Sequence, residues 1–219
     1  RAGFAIINDE ITKQAAKQEI IRRYFRYRCE YAMGFTDRET VQRVELFMND
    51  FNLKPEDRKV VQPARYAAKS AMENNRGNEG IYCGAAIELK DGTLITGSNS
   101  PLMHAASSVI IHAIKHLAGI PEKIKLLPPN ITDSICKLKT EILDEKNVSL
   151  DLEEALIALS ISSTSNPAAE LALEKLKELQ ECEIHMTHIP TPGDEAGLRR
   201  MGANLTSDPN FSTNNLFIS

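Results

Sequence analysis

IYCGAAIELKDGTLITGS, residues 81–98, decides the fold. Two short apolar runs flank the pair Asp91-Gly92, and a glycine at such a point supplies the positive φ that a tight reversal needs. The stretch therefore predicts a β-hairpin. Upstream of it apolar residues recur with helical period, whereas downstream strand-like runs alternate with helical ones. Helices first, then a hairpin, then alternation describe an α/β protein at the border of α+β, a layered mixed sheet with flanking helices. The expected division is an N-terminal helical subdomain over 1–76 and an α/β domain over 77–219 that carries the hairpin.

Working outward, Ile11, Ala15, Ala16, Ile20, Tyr24 and Tyr27 mark a first helix after Asn8 and Asp9, either of which can cap it, with Gly34 as its stop. Thr36 with Glu39 has the capping-box pattern for a second helix, whose apolar stripe is Val41, Val44, Phe47 and Met48. Pro55 suits the first position of a third helix, from about Glu56 to Met72, interrupted or kinked at Pro63. Beyond the hairpin, a helix from about Leu102 ends before Gly119, and KIKLL reads as a short strand running into Pro128-Pro129. Residues 131–148 have no clear period. LDLEEALIALSIS reads as a helix, Asn166-Pro167 as the cap and first turn of another, and ECEIHMTHI as a strand. DEAGLRRMG is then a short helix stopped by Gly202, and ANLTS a last strand.

The chain has 219 residues, 42% of them apolar, which is enough to bury a core. Its 30 acidic and 26 basic residues give a net charge of -4. The basic residues are scattered except for Arg22, Arg23, Arg26 and Arg28, which at helical spacing read as a solvated or subunit-facing stripe. Neither a nucleic-acid partner nor a membrane is expected from this balance and from the lack of a long apolar run. Cys29, Cys83, Cys136 and Cys182 form no C-x-x-C pair, so a reducing, cytoplasmic setting is expected. Opening on Arg1 inside the strand-like RAGFAII, the chain reads as part of something longer.

Phosphate-loop, dinucleotide-loop, zincin and nucleophile-elbow motifs do not occur in these residues. His104, His112 and His116 share one broad helical face, a spacing zinc can use. Ser108 and Lys115 share that face too, and the reading adopted is a polar outer surface with no metal. In the strand, His185 and His188 point to opposite faces, while His185 and Thr187 share one and line a candidate pocket.

The order hairpin, helix, strand, helix, strand resembles the zinc-dependent deaminase fold. That chemistry needs H-x-E and P-C-x-x-C, whereas the first position here reads His104-Ala105-Ala106 and the nearest proline-started helix Pro167-Ala168-Ala169-Glu170. A deaminase-like topology is thus entertained without zinc deaminase activity. What remains are helix starts, whose free amides and partial positive charge attract anions. GSNSP at 97–101 and STSNP at 163–167 are two polar starts of this kind. Asn99, Ser100, His104, Thr164, Asn166, His185 and Thr187 are accordingly the candidate ligand-binding residues, with plain capping as the alternative.

At KQEIIRRYFRY (17–27), MNDFNLKPEDRKV (48–60), DGTLITGSNS (91–100), LIALSISSTSNPAAELALEKL (156–176) and LRRMGANLTSDP (198–209) the sequence resembles the C-terminal half of the prokaryotic proteins grouped as domain-of-unknown-function family 1846. The likeness covers nearly the whole chain and lapses near 74–83 and 140–150. It implies a protein about twice this length, whose N-terminal half carries a glycine-rich, lysine-containing segment like a phosphate-binding loop. No cofactor is then expected within this chain, and any nucleotide would bind in the missing half. The partner this implies is that half, completing an anion- or phosphate-type cleft at the polar helix starts; the alternative, read from the amphipathic N-terminal helices and the polar helix face, is a homo-oligomer.

Overall fold

The computed structural model describes residues 9–212, so RAGFAII, the cap at Asn8 and the polar tail lie outside the described residues. The hairpin consists of β1 (Gly84–Glu88) and β2 (Leu94–Ser98), antiparallel with Ala85 opposite Gly97 and Ile87 opposite Ile95. Gly92 takes φ 85° in the reversal, where Thr93 N donates to Asp91 Oδ1 at 2.9 Å. β1 also pairs antiparallel with β3 (Glu183–Met186), and β3 pairs parallel with β4 (Asn204–Ser207). The result is a four-stranded mixed sheet in the order β2-β1-β3-β4 with helices on both sides, an α/β arrangement. Four strands in this order do not establish a deaminase-like topology.

Side chains alternate across the sheet, so each face has its own cover. Ala85, Ile87, Ile184 and Met186 enter the main core beneath α4 (Ala105–Leu117), α6 (Leu152–Ser163), α7 (Pro167–Glu174) and α8 (Pro192–Arg200). The row Ala86, His185 and Thr206 faces the other way. There Ala86 meets Val60 and Ala64 at the start of α3 (Val61–Glu73), and the Phe25 ring of α1 (Asp9–Ala32) lies 4.7 Å from His185. Two glycines permit this double cover. A β-carbon on Gly97 would sit 2.4 Å from Val109 N of α4, and one on Gly84 would sit 2.2 Å from Ala64 O of α3.

The helices described between residues 9 and 76 form a layer laid directly on the sheet, α3 against β1 and α1 against β4. The buried Arg58 fastens this layer, donating to Ile184 O at 3.1 Å, Asn204 O at 2.6 Å, Thr206 Oγ1 at 2.9 Å and the Glu183 carboxylate. Its descent into the sheet also splits the expected third helix. A 3-10 turn, Pro55–Asp57, precedes it and α3 starts after it, so Pro63 falls in the first turn of α3, where its missing amide costs nothing and no kink results.

Other local departures have equally plain causes. α2 (Arg38–Asp50) is capped by Asp37, whose Oδ1 accepts from Thr40 N at 2.7 Å, one residue later than the Thr36 pattern suggests. Its stripe buries Val41, Val44 and Met48 and leaves Phe47 55% exposed. KIKLL forms no strand; Leu126 and Leu127 plug the core from a loop, and Leu126 O accepts from Ser162 Oγ at 2.5 Å. The stretch without period folds as α5 (Pro129–Lys137) and a π turn, Leu138–Ile142. Lys139, buried there, donates to Glu154 Oε2 at 2.7 Å and Ser149 O at 3.1 Å. The polar outer face expected of α4 is instead covered. Ser108 and Lys115 are buried, and Lys115 Nζ reaches Glu122 O at 2.6 Å.

Among the described residues no helix is long and apolar enough to cross a membrane.

Candidate functional site

The parallel step from β3 to β4 passes through the loop 187–191 and α8, so α8 begins at the carboxyl end of β3. Thr191 caps it, and Asp194 in its first turn has no exposed surface. Asp194 Oδ1 accepts from Leu152 N, the first residue of α6, at 2.9 Å. Its Oδ2 accepts from Thr191 Oγ1 at 2.8 Å and lies 2.8 Å from Nδ1 of His104, the residue on which α4 opens. One carboxylate thus joins the starts of α4, α6 and α8. Asp151 caps α6 in a capping box with Glu154, and its carboxylate occupies the space a side chain on Gly193 would need.

His104 is the most accessible member of this cluster, its side chain 15% exposed. Its Nε2 lies 3.0 Å from Asn147 Nδ2, while Asn147 Oδ1 accepts from Ser149 N at 3.1 Å. The amide therefore donates to Nε2, which leaves Nδ1–H to donate to Asp194. Burial opposes charging of this imidazole, but the hydrogen bond and charge of Asp194, with Asp151 adding, outweigh it, and the pKa stands above the ordinary histidine value. α4 itself has no side-chain cap, although Ala105, Ala106 and Ser107 are fully buried.

Behind this pair lies His188, only 5% exposed and with Nδ1 lacking a hydrogen-bond partner. Burial pushes its pKa down to about 4, against the pull of Asp194 and helped by His104 and His185. Cys83 is buried nearby, its thiol pushed up to about 12 by burial and by the Asp194 charge.

The candidates from sequence divide sharply. Asn99 is 8% exposed and structural, accepting from Cys83 N at 2.8 Å and donating to Ile81 O at 3.0 Å. Ser100 Oγ accepts from Leu102 N and Met103 N at 3.2 and 3.3 Å, a turn that leads into His104. Thr164 bonds back to Ile161 O, and Asn166 caps α7 through Ala168 N and Ala169 N. These two stand past the far end of α6, whose 12 residues span about 18 Å, so the two polar starts do not share one cleft. His185 is completely buried on the α1 side, its Nδ1 2.9 Å from Thr206 Oγ1, and burial lowers its pKa. Thr187 Oγ1 accepts from Gly84 N at 2.9 Å and ties the end of β3 to β1.

The histidines of α4 do not converge either, since His112 Nδ1 lies 2.9 Å from Thr96 O and His116 is exposed. Among the described residues no three His, Cys, Asp or Glu side chains form a metal-holding group. The proline-started helix brought to His104 is α8 rather than α7, and it reads Pro192-Gly193-Asp194-Glu195, again without cysteine. Sequence reasoning missed Asp194 and Asn147. For Asp194 a signal existed, because Thr191-Pro192-Gly193-Asp194 has the T-x-x-D pattern of a helix start. Asn147 lies in the stretch without period, where no such signal is available.

The arginine stripe of α1 is spent internally, Arg22 on Glu19 and Glu183, Arg23 on Glu19, Arg26 on Glu30 and Arg28 on Glu45. Arg65 and Asp208 form a further pair at 2.7 Å that holds α3 to the end of β4.

Fold and site together define an α/β protein with a histidine–carboxylate pair set where three helix starts meet the carboxyl end of a parallel strand pair. The chain belongs to the DUF1846 family: the family described as "Domain of unknown function DUF1846, C-terminal" matches residues 56–217, and its N-terminal counterpart matches residues 1–52. It thus holds portions of both parts, and not only the C-terminal half that the sequence resemblance suggested. Similar proteins include a UPF0371 protein of Clostridium botulinum (strain Alaska E43 / Type E3), 46% identical over 99% of this chain and 43% of that protein. Another is a UPF0371 protein of Clostridium tetani (strain Massachusetts / E88), 44% identical over the same shares. The chain spans less than half the length of these relatives.

Proposed function

We propose that this chain forms one wall of an anion- or phosphate-class ligand cleft centred on His104, completed in the intact protein by the rest of the longer family members. The observation that carries this reading is that His104, fixed from behind by Asp194, turns Nε2 outward beside an α4 start with no side-chain cap. Amides at a helix start favour an oxyanion, and an imidazole ordered by a carboxylate holds or passes a proton at a phosphoryl-type oxygen. Asp151 and Asp194 already satisfy the start of α6 and Thr191 that of α8, so the oxyanion belongs at α4, and Asn147 is the group it displaces. A nucleotide, if one binds, reaches this wall from the part of the protein outside these residues. Free thiols at Cys29, Cys83, Cys136 and Cys182 suit a reducing cytoplasm.

A thermal-shift titration of the intact protein with inorganic phosphate and nucleoside phosphates tests this, because a ligand of the folded state raises its melting temperature. His104→Gln removes the shift, Asn147→Ala preserves or enlarges it, and Asn166→Ala leaves it alone. An equal shift in His104→Gln would remove the site from His104.

A further inference from the structure

Family boundaries and packing disagree over α1 and α2. The N-terminal family match ends at residue 52, yet α1 is committed to the sheet of the following part. Phe25 stacks against His185, Cys29 Sγ donates to Ser207 O at 3.2 Å, and Arg22 bonds Glu183 at 3.1 Å. α2 rests in turn on α1, with Met48 joining Ile21 and Phe25 in a small core.

On the outer side of this helix pair large apolar side chains stand bare among exposed charged ones such as Arg38, Glu39 and Arg43. Among the described residues five large exposed hydrophobics are aromatic, and four of them, Tyr31, Phe35, Phe47 and Phe51, fall within residues 31–51. Phe35, on the turn between the helices, is 78% exposed. Phe47 and Phe51 lie one helical turn apart. Two cavities flank the same turn, one of about 420 Å³ with Tyr31 and Arg38 in its wall, the other of about 510 Å³ with Met33 and Phe35 at its rim. Exposed aromatic side chains concentrated on one helix pair mark an interaction face, since interface centres are rich in such side chains.

We propose that the α1–α2 pair is an intramolecular docking face, covered in the intact protein by the remainder of the N-terminal family unit. The occupant follows from the family match: the residues that build the face belong to that unit, and more than half of each relative's length lies outside the stretch matched here. Two helices whose inner side serves the next unit turn their outer side to the body they belong to. The phenyl rings of Phe35, Phe47 and Phe51 are the anchors, and the two cavities receive side chains from the covering unit.

Thiol labelling of the intact, full-length protein tests this. Phe35→Cys and Phe47→Cys are each labelled natively and after unfolding in urea, with the unsubstituted protein as baseline for its own cysteines. Native labelling at least tenfold slower than unfolded, unchanged on dilution and unchanged when residues 213–219 alone are deleted, is the expected result. Smaller protection overturns the proposal. Protection that fades on dilution overturns it in favour of a second copy, and protection lost with residues 213–219 overturns it in favour of that segment. Should either variant not fold, hydroxyl-radical footprinting of the unsubstituted intact protein decides: Phe35, Phe47 and Phe51 are oxidised several-fold less than Tyr66, and oxidation equal to that of Tyr66 overturns the proposal.

Discussion

Nδ1 of His104 and Oδ2 of Asp194 lie 2.8 Å apart across 90 residues of sequence, and the carboxylate they share with Leu152 N and Thr191 Oγ1 has no contact with solvent. Asp194→Ala strips all three donors of their acceptor, a loss on the order of 3–5 kcal/mol. Asp194→Asn keeps the shape and one carbonyl oxygen and loses less. Urea unfolding at pH 7 distinguishes them; equal midpoints for wild type and Asp194→Ala would show that the carboxylate does not join the three helix starts.

The same pair makes stability depend on pH in a defined direction. His104 has its folded pKa raised, so its contribution is complete below the unfolded value of about 6.5 and is lost as pH rises through the folded value. Asn147 opposes protonation by donating to Nε2. Asn147→Ala is therefore expected to move the His104 titration, followed by NMR of its ring protons, to higher pH. A shift to lower pH would mean that the amide accepts from Nε2 rather than donating to it.

His188 acts in the opposite sense. Its pKa, lowered to about 4, means the unfolded chain binds the extra proton first, so stability present above pH 6.5 is lost as pH falls toward 4. The change amounts to about 3 kcal/mol at 1.36 kcal/mol per pH unit. Its Nδ1 has no partner to forfeit, so His188→Leu is expected to cost little at pH 7 and to flatten the acid limb. An unchanged slope between pH 6.5 and 4 in that variant would place the titration elsewhere, with His185, whose pKa burial also lowers, the group to examine next.

Local signals survive well where the cause is local. The hairpin at Asp91-Gly92, the Asn166-Pro167 start of α7 and the helix over LDLEEALIALSIS are set by turn and capping chemistry within a few residues, and all are present. The site is a product of long-range packing. His104 was legible as a polar helix start, but its partner Asp194 is delivered by the β3–α8 step, and nothing in the spacing of the two residues announces it. Thr164 and Asn166 carry the same small polar chemistry as Ser100, yet the length of α6 separates them from His104. Ser108 and Lys115 misled because polarity marks an outer face only when nothing covers it, whereas Ser108 lies against Gly97 of β2 and Lys115 is covered by the segment that brings Glu122 O to its Nζ.

Gly84 and Gly97 give the last test, because they serve opposite faces of one hairpin. With a β-carbon, Gly97 would press on the backbone of Val109 and Gly84 on the backbone of Ala64, neither of which can swing aside as a side-chain tip would. Each alanine substitution is expected to cost about 1–3 kcal/mol by overpacking. The two strains act on different helices, α4 and α3, but the glycines are neighbours across the β1–β2 pair, so the double variant is expected to depart from the sum, with Gly92→Ala, strained by its φ of 85° in open space, as a milder control. Chemical denaturation of the four variants and the wild type settles it. A Gly97→Ala variant as stable as wild type would mean that α4 does not lie against β2 at this distance, and the position of His104 at the head of α4 would need revision with it.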